Sequence, residues 1–198
     1  MNDILQYHPL DDVFTPGLYV PKKDALPAYT IRAIRDLSVV EIIPFGVCHQ
    51  EVIECLKTAL GLIAPASNSA YIAGTRTILS PSGQGYIVTT EGEARQVLSR
   101  RLEHALRDYA GIYEESAAYA VLRIDGFHFY AILSELIDSP ALLDTTLNFT
   151  TYLTIDDHKI ILHRKSDDVH FLYLPRSVAP EIYIRIARSC LKAGVRLI

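Results

Sequence analysis

The residues of this chain best suited to chemistry are three histidines, His158, His163 and His170, and three carboxylate pairs, Glu114-Glu115, Asp156-Asp157 and Asp167-Asp168. The spacing predicts a hairpin in which His163 and His170 could lie across from each other, and such a pair could supply two imidazoles to a metal ion. A bound zinc needs three or four ligands, and nothing nearby completes the set. We therefore expect no metal, and histidines that sit at the surface or in hydrogen bonds. Paired carboxylates can divide acid and base work between them. Each of these pairs, however, abuts a predicted strand end or turn, where acids are solvated. Cys48, Cys55 and Cys190 form no CxxC or other metal spacing. Free cysteines of this kind are usually small packing residues, and an odd count fits a reducing compartment better than a disulfide framework.

The wider motif search is negative. No GxGxxG, P-loop, HExxH or GxSxG string exists, so no familiar phosphate cradle, zinc helix or nucleophile elbow is written here. The sequence singles out no catalytic residue and no cofactor-binding residue. A net charge of -4 and a pI near 6.0 argue against a nucleic-acid partner, which would call for a basic face. The start, Met1-Asn-Asp-Ile, has neither the basic stretch nor the apolar run of a secretory leader. The apolar runs fall short of the ~18 residues a membrane span needs. The expectation is a cytoplasmic, soluble protein.

The elements that would have to position any site are written largely twice. Val40-Glu-Ile-Ile-Pro-Phe-Gly46 reads like Ala120-Val-Leu-Arg-Ile-Asp-Gly126 at an offset of 80, and Val52, Ile53 and Leu56 fall on Ile132, Leu133 and Leu136. At an offset of 85, Tyr86-Ile-Val88 falls on Phe171-Leu-Tyr173, and the apolar stripe Ala94, Val97, Leu98, Leu102, Ala105, Leu106 falls on Ala179, Ile182, Tyr183, Ala187, Cys190, Leu191. Strands, helices and their order repeat together, which is the mark of an internal duplication. With 198 residues, 49% of them hydrophobic, two similar lobes can bury an ample core.

Residues 1–37 carry Pro9, Pro16, Pro21 and Pro27 with little periodicity and read as an irregular arm, with at most one short strand near Tyr29 to Ile34. Residues 38–198 read as one unit of two lobes, about 38–115 and 116–198. In the first, a strand over Val39 to Phe45 leads to a helix over Gln50 to Leu60. Strand-like pieces follow at Ala70 to Ile72, Arg76 to Leu79 and Gly85 to Thr89, then a helix over Glu91 to Tyr109 and a last strand either near Ile112 or donated by the next segment. In the second, a strand over Tyr119 to Ile124 leads to a helix near Phe129 to Ile137. Pro140 interrupts the pattern before a loop to Asn148. Strands at Thr151 to Ile155, Lys159 to His163 and His170 to Leu174 follow, then a helix over Ala179 to Leu191 and a closing strand at Val195 to Ile198. The fold class is α+β, two tandem ferredoxin-like βαββαβ lobes. Both alternating sets of Tyr86-Ile-Val-Thr89 and Phe171-Leu-Tyr-Leu174 contain apolar side chains, so the face away from the helices needs cover: the other sheet, or another protein.

Two segments carry a family resemblance. Tyr119-Ala-Val-Leu-Arg-Ile-Asp-Gly126 with its short helix, and Ile160-Ile-Leu-His-Arg164 followed by Phe171-Leu-Tyr-Leu-Pro-Arg-Ser177 and an amphipathic helix, resemble the gamma subunit of heterotetrameric sarcosine oxidase. Ala59-Leu-Gly-Leu62 with Pro65 and Asn68 resembles the same family. The likeness runs from about Val39 to Leu191, and the Pro-Arg-Ser string is its most specific part. It implies a relative of the folate-binding aminomethyltransferase domain, reduced to its duplicated lobes. It also implies flavin on larger partner subunits, an accessory role against their folate-binding part, and tetrahydrofolate as candidate ligand. The chain departs from relatives in two places. Glu114-Glu-Ser-Ala117 stands where an Asp-Val-Ser string would carry a catalytic aspartate, and Ser139 to Phe149 lacks a Cys-Pro pattern.

Three functions therefore compete. The first is an accessory subunit of a flavin-dependent sarcosine or N-methyl amino-acid oxidase; the second, a free-standing folate or small-molecule binder. The third is an amino-acid-binding regulatory module that self-associates, by fold analogy alone. Arg176 is expected either to pair locally or to anchor a partner, and Gly46 and Gly126 to serve the backbone.

Overall fold

A computed structural model describes residues 8–20, 26–139, 144 and 146–198. The first lobe runs β3 (Leu37–Pro44), α1 (His49–Leu60), β4 (Ser69–Ala73), β5 (Arg76–Ser80), β6 (Tyr86–Glu91), α2 (Arg95–Leu106) and β7 (Ala110–Glu114). The second repeats it as β8 (Tyr119–Asp125), α3 (Phe129–Leu136), β9 (Phe149–Ile155), β10 (His158–Arg164), β11 (Val169–Pro175), α4 (Ala179–Leu191) and β12 (Val195–Leu197). Two strands precede them, β1 (Gly17–Tyr19) and β2 (Tyr29–Ile34). All twelve join in one sheet in the order β1-β12-β2-β8-β11-β10-β9-β4-β5-β6-β3-β7. The tandem ferredoxin-like reading holds.

The strand order shows where the duplication is broken. In the first lobe β7 pairs directly with the opening strand β3, antiparallel. In the second, β2 from the N-terminal region lies between β8 and β12, antiparallel to one and parallel to the other. The sequence reading allowed this region one strand at most; β1 is a second, paired with β12. A three-residue strand containing Gly17 carries no detectable alternation, so only its partner reveals it. Leu10 and Phe14, also from this stretch, are buried in the second lobe's core.

Register corrects the repeat. Val40 pairs with Val88, whereas its equivalent Ala120 pairs with Leu174, so the offset in this strand is 86, one more than the apolar string suggests. The difference matters because a one-residue slip turns every side chain to the other face. Val88 belongs to the core under the helices, while Tyr173 faces the other sheet.

Each lobe has its own core between helices and sheet. Val40, Ile42, Leu56, Leu98 and Leu102 fill the first; Leu122, Phe129, Leu162, Leu172 and Ile186 fill the second. A third cluster joins Val39, Leu79 and Ile87 of one lobe to Val121, Ile161 and Tyr173 of the other. The parts of the sheet that belong to the two lobes, joined along the chain of strands only where β4 meets β9, therefore face and cover each other as two sheets would. Burying a side chain of this size contributes on the order of 1.5–3 kcal/mol, so this small cluster is a substantial part of what holds the lobes together.

The lobes also meet edge to edge. The amide of Ala70 donates to the carbonyl of Asn148 at 2.7 Å, and that of Thr150 to the carbonyl of Asn68 at 3.1 Å. Asn68 and Asn148 are the equivalent residues of the two copies, and both are left-handed, at φ 59° and 56°. Asn68 Nδ2 donates within its own lobe to the carbonyl of Pro81 at 2.9 Å, and across the junction to the carbonyl of Thr150 and the hydroxyl of Thr151, each at 3.3 Å.

The predicted α2 starts too early. Glu91 remains in β6, paired with Leu37, and Gly92 turns at φ 75° before the helix begins at Arg95. The Leu-Gly-Leu string ends α1: Gly61, at φ 64°, donates to Lys57 and Leu62 donates to Leu56, with Leu62 buried behind the turn. Met1 and Pro21, together with Pro140 and most of the loop expected around it, lie outside the described residues.

Candidate functional site

Folding separates the two histidines that the hairpin spacing could have set across from each other. His163 pairs with Phe171 and His170 with Arg164, one position apart, so the two imidazoles occupy opposite faces of the sheet and do not oppose each other. His163 faces the first lobe, stacked on Phe171 at 5.8 Å. His170 packs under α3 against Phe129 and Tyr130, at 5.2 and 5.1 Å. Neither is at the surface. Burial first, then the charges of Lys165 beside His163 and Arg164 beside His170, pushes both pKa values down to about 4. Among the described residues no three His, Cys, Asp or Glu side chains converge as metal ligands would.

The carboxylate pairs serve turns. Asp156 and Asp157, at φ 50° and 63°, form the two-residue hairpin between β9 and β10, and Asp156 also meets Arg185. Asp167 meets Arg164, and Asp168 accepts from Ser166 at 2.7 Å. Glu114 accepts the amide of Ser116 at 3.0 Å. Cys190 is buried in the second lobe's core, where desolvation pushes its thiol up to about 12, so it is inert as a nucleophile. The two turn glycines differ. Gly46 is left-handed at φ 46° with open space around it. Gly126 is instead crowded: a Cβ there would lie 2.4 Å from the ring of Tyr29 and 2.9 Å from the carbonyl of Ala28.

What the fold does create is a cavity of about 410 Å³ at one open end of the paired sheets. Its apolar floor comes from both lobes: Leu37 and Val39 from the first, Tyr119 and Val121 from the second, with Ile34 of β2 beside Val121. Tyr119 is desolvated, which with nearby Glu41 and Tyr152 holds its phenol protonated, at a pKa of about 12. The wall between the lobes is pinned by Ser116, whose hydroxyl accepts the amide of Val39 at 2.8 Å.

The rim is basic. Arg35 follows β2, Arg95 opens α2, Arg176 follows β11, and His8 stands beside them. Asp11 holds Arg35 at 2.7 Å. His8 Nδ1 accepts the amide of Leu10 at 3.3 Å, which leaves Nε2 as the protonated donor of a neutral ring. Burial, then Arg35, lowers the pKa of His8 and keeps that ring neutral near pH 7. Sequence reading found Arg176 but not His8, Arg35 or Arg95. These four stand at widely separated points in the chain, and no local pattern links them. A smaller polar cavity of about 280 Å³ lies elsewhere between the sheets, where Thr77, Thr89, Arg123 and His163 meet.

Among the described residues, no helix is long and apolar enough to cross a membrane. No protein-family model matches the chain, and no curated protein sequence matches it. Solved structures do. One is a chain of the heterotetrameric sarcosine oxidase from Corynebacterium sp. U-96, in complex with pyrrole 2-carboxylate, at a TM-score of 0.70 and 15% identity over 85% of this chain and 87% of that one. Another is the glycine cleavage system aminomethyltransferase T from Bartonella henselae, at 0.61 and 13% over 86% of this chain. This chain spans about half of that aminomethyltransferase, 47% of its length. At such identities the likeness is one of fold: the chain has the duplicated α+β architecture that the oxidase chain and the aminomethyltransferase share.

Proposed function

We propose that this chain is an accessory, non-catalytic subunit of a heteromeric flavin-dependent oxidase of sarcosine or a related N-methyl amino acid. In this reading it supports assembly beside the folate-binding part of a larger subunit, and the flavin is held elsewhere. The observation that carries it is the nearly end-to-end match in both directions, 85% and 87%, with a chain of a heterotetrameric sarcosine oxidase. The match to the aminomethyltransferase accounts for only 47% of that protein. The Leu174-Pro-Arg-Ser177 string and the lack of a recognisable nucleotide motif agree with a supporting role. Affinity recovery of the chain from its native source, without overexpression, tests this. A large, yellow flavoprotein should come with it in equal amount, and recovery of the chain alone would overturn the proposal.

A second reading, a free-standing folate or small-molecule binder, is favoured by the cavity between the lobes. Its apolar floor and basic rim fit a ligand with a ring system and carboxylates, as tetrahydrofolate has. Calorimetry with tetrahydrofolate decides: an absence of heat at millimolar ligand removes it.

A further inference from the structure

We propose that the smaller cavity between the sheets, of about 280 Å³, binds a small uncharged ring that carries a hydrogen-bond donor beside an acceptor, as a cyclic amide does. His163, Thr77 and Thr89 receive that edge. This cavity is separate from the basic-rimmed one, and its assignment rests on neither functional reading.

The cavity begins where an apolar interface changes character along three strands. Leu79, Ile87 and Ile161 belong to or line the cluster that closes the lobes against each other. Two residues away along the same strands, and so on the same face, stand Thr77, Thr89 and His163. The register sets Thr77 opposite Thr89, and His163 opposite Phe171 with Arg123 beyond it. Apolar residues at these three positions would continue the cluster. Polar ones stand there instead and line a cavity to which both lobes contribute.

The group that calls for a ligand is His163. Its side chain is 2% exposed and stacks on Phe171 at 5.8 Å, yet its Nε2 has no hydrogen-bond partner. Buried polar groups are nearly always paired, and one left unpaired forfeits its hydration. A phenyl ring at this position would keep the stack and avoid that loss. The stack fixes the plane of the imidazole, and a half-turn within that plane exchanges nitrogen and carbon positions. A nitrogen can thus be turned to the cavity without displacing the ring.

The buried groups also set the charge of the ligand. Burial, then Lys165, pushes the His163 pKa down to about 4, and burial holds the Tyr173 phenol protonated, at about 12. With the two threonine hydroxyls, this floor is uncharged at neutral pH and offers both donors and acceptors. The charged lining residues do not favour one sign: Glu91 and Lys165 are exposed and opposite, and Arg123 is held by Asp125 at 2.9 Å. A ligand charge set on the neutral floor would lose its hydration without a counterion. Leu37, Ile72 and Phe171 supply apolar wall for a ring.

The probe is 2-pyridone, whose ring N–H lies beside its carbonyl, titrated into the full chain and followed by calorimetry and by the imidazole signals in NMR spectra. It should bind once per chain at roughly millimolar affinity, a reasonable strength for so small a ligand. The His163 signals should move with it, while those of His170, on the opposite face under α3, stay still. N-methyl-2-pyridone keeps the ring and loses the donor, and benzoate keeps a ring and adds a charge; each should bind about tenfold more weakly. His163→Phe and Thr89→Val each remove one hydrogen-bonding group and should weaken 2-pyridone by about tenfold. His163→Phe should also melt no lower than the parent, and Thr89→Val keeps the test open if that variant misfolds. The site is refuted by any of three results: no saturable movement of the His163 signals at tens of millimolar 2-pyridone, equal or tighter binding of either control, or undiminished binding by both variants. A chain that fails this test but still captures a flavoprotein would leave the proposed function standing.

Discussion

Asn68 offers the sharpest test of how the lobes are joined. Replacing it with alanine removes the amide that reaches Pro81, Thr150 and Thr151, and places a side chain with no local hydrogen bond at φ 59°. Left-handed backbone costs a residue such as alanine about 1 kcal/mol or slightly more. Of the three contacts, the one at 2.9 Å has good length and the two at 3.3 Å are long. They are only partly buried, so together they contribute about 1 kcal/mol. Asn68→Ala should therefore destabilise by about 2 kcal/mol. Asn68→Gly restores the backbone freedom and loses only the amide, so its cost should be about 1 kcal/mol. Urea unfolding followed by far-UV circular dichroism measures both, with the midpoint shifting and the slope unchanged. The reasoning fails if the two variants unfold together, because the backbone contribution would then be absent. It also fails if Asn68→Ala lies within 0.5 kcal/mol of the parent, a margin typical of inconsequential surface changes.

The two turn glycines should respond differently to alanine. Gly46→Ala pays only for its left-handed backbone, about 1 kcal/mol, whereas Gly126→Ala drives a Cβ into Tyr29 and the Ala28 carbonyl and should cost at least twice that; thermal midpoints falling in the opposite order would refute the contrast. The buried histidines give a pH dependence. His163 and His170 are neutral when folded, with pKa values lowered from 6.5 to about 4, so the unfolded chain binds more protons. Their contribution is fully present above pH 6.5 and is lost as pH falls towards 4, at a slope approaching roughly 2.7 kcal/mol per pH unit for two protons. Unfolding free energies of the parent and of a His163→Gln, His170→Gln variant should diverge in slope across that window; parallel curves would mean that the rings are already hydrated.

How much of this was legible depended on the range of the signal. Helical stripes and strand alternation are local, and they placed α4 and most strands within a residue or two. The start of α2 was misread because Ala94 and Val97 continue the stripe beyond the point where pairing of Glu91 with Leu37 holds the chain in β6. The apolar strings also aligned β6 and β11 one residue off. Both faces of these strands are buried, so hydrophobicity no longer distinguishes one face from the other. The same ambiguity made His163 and His170 look like neighbours across a hairpin when the register sets them on opposite faces.

The sequence by itself determined two α+β lobes in tandem, because duplicated apolar periodicity survives divergence wherever a core must be filled. It also placed the Asp156-Asp157 pair at a strand end or turn, where the structure puts it between β9 and β10. Tertiary structure alone decided that the sheets face each other, that β2 wedges between β8 and β12, and that Arg35, Arg95, Arg176 and His8 meet at one cavity. The physical reason is common to all three. Backbone pairing and charge convergence join residues far apart in the chain, and no pattern in a short window records which distant segment will arrive beside another.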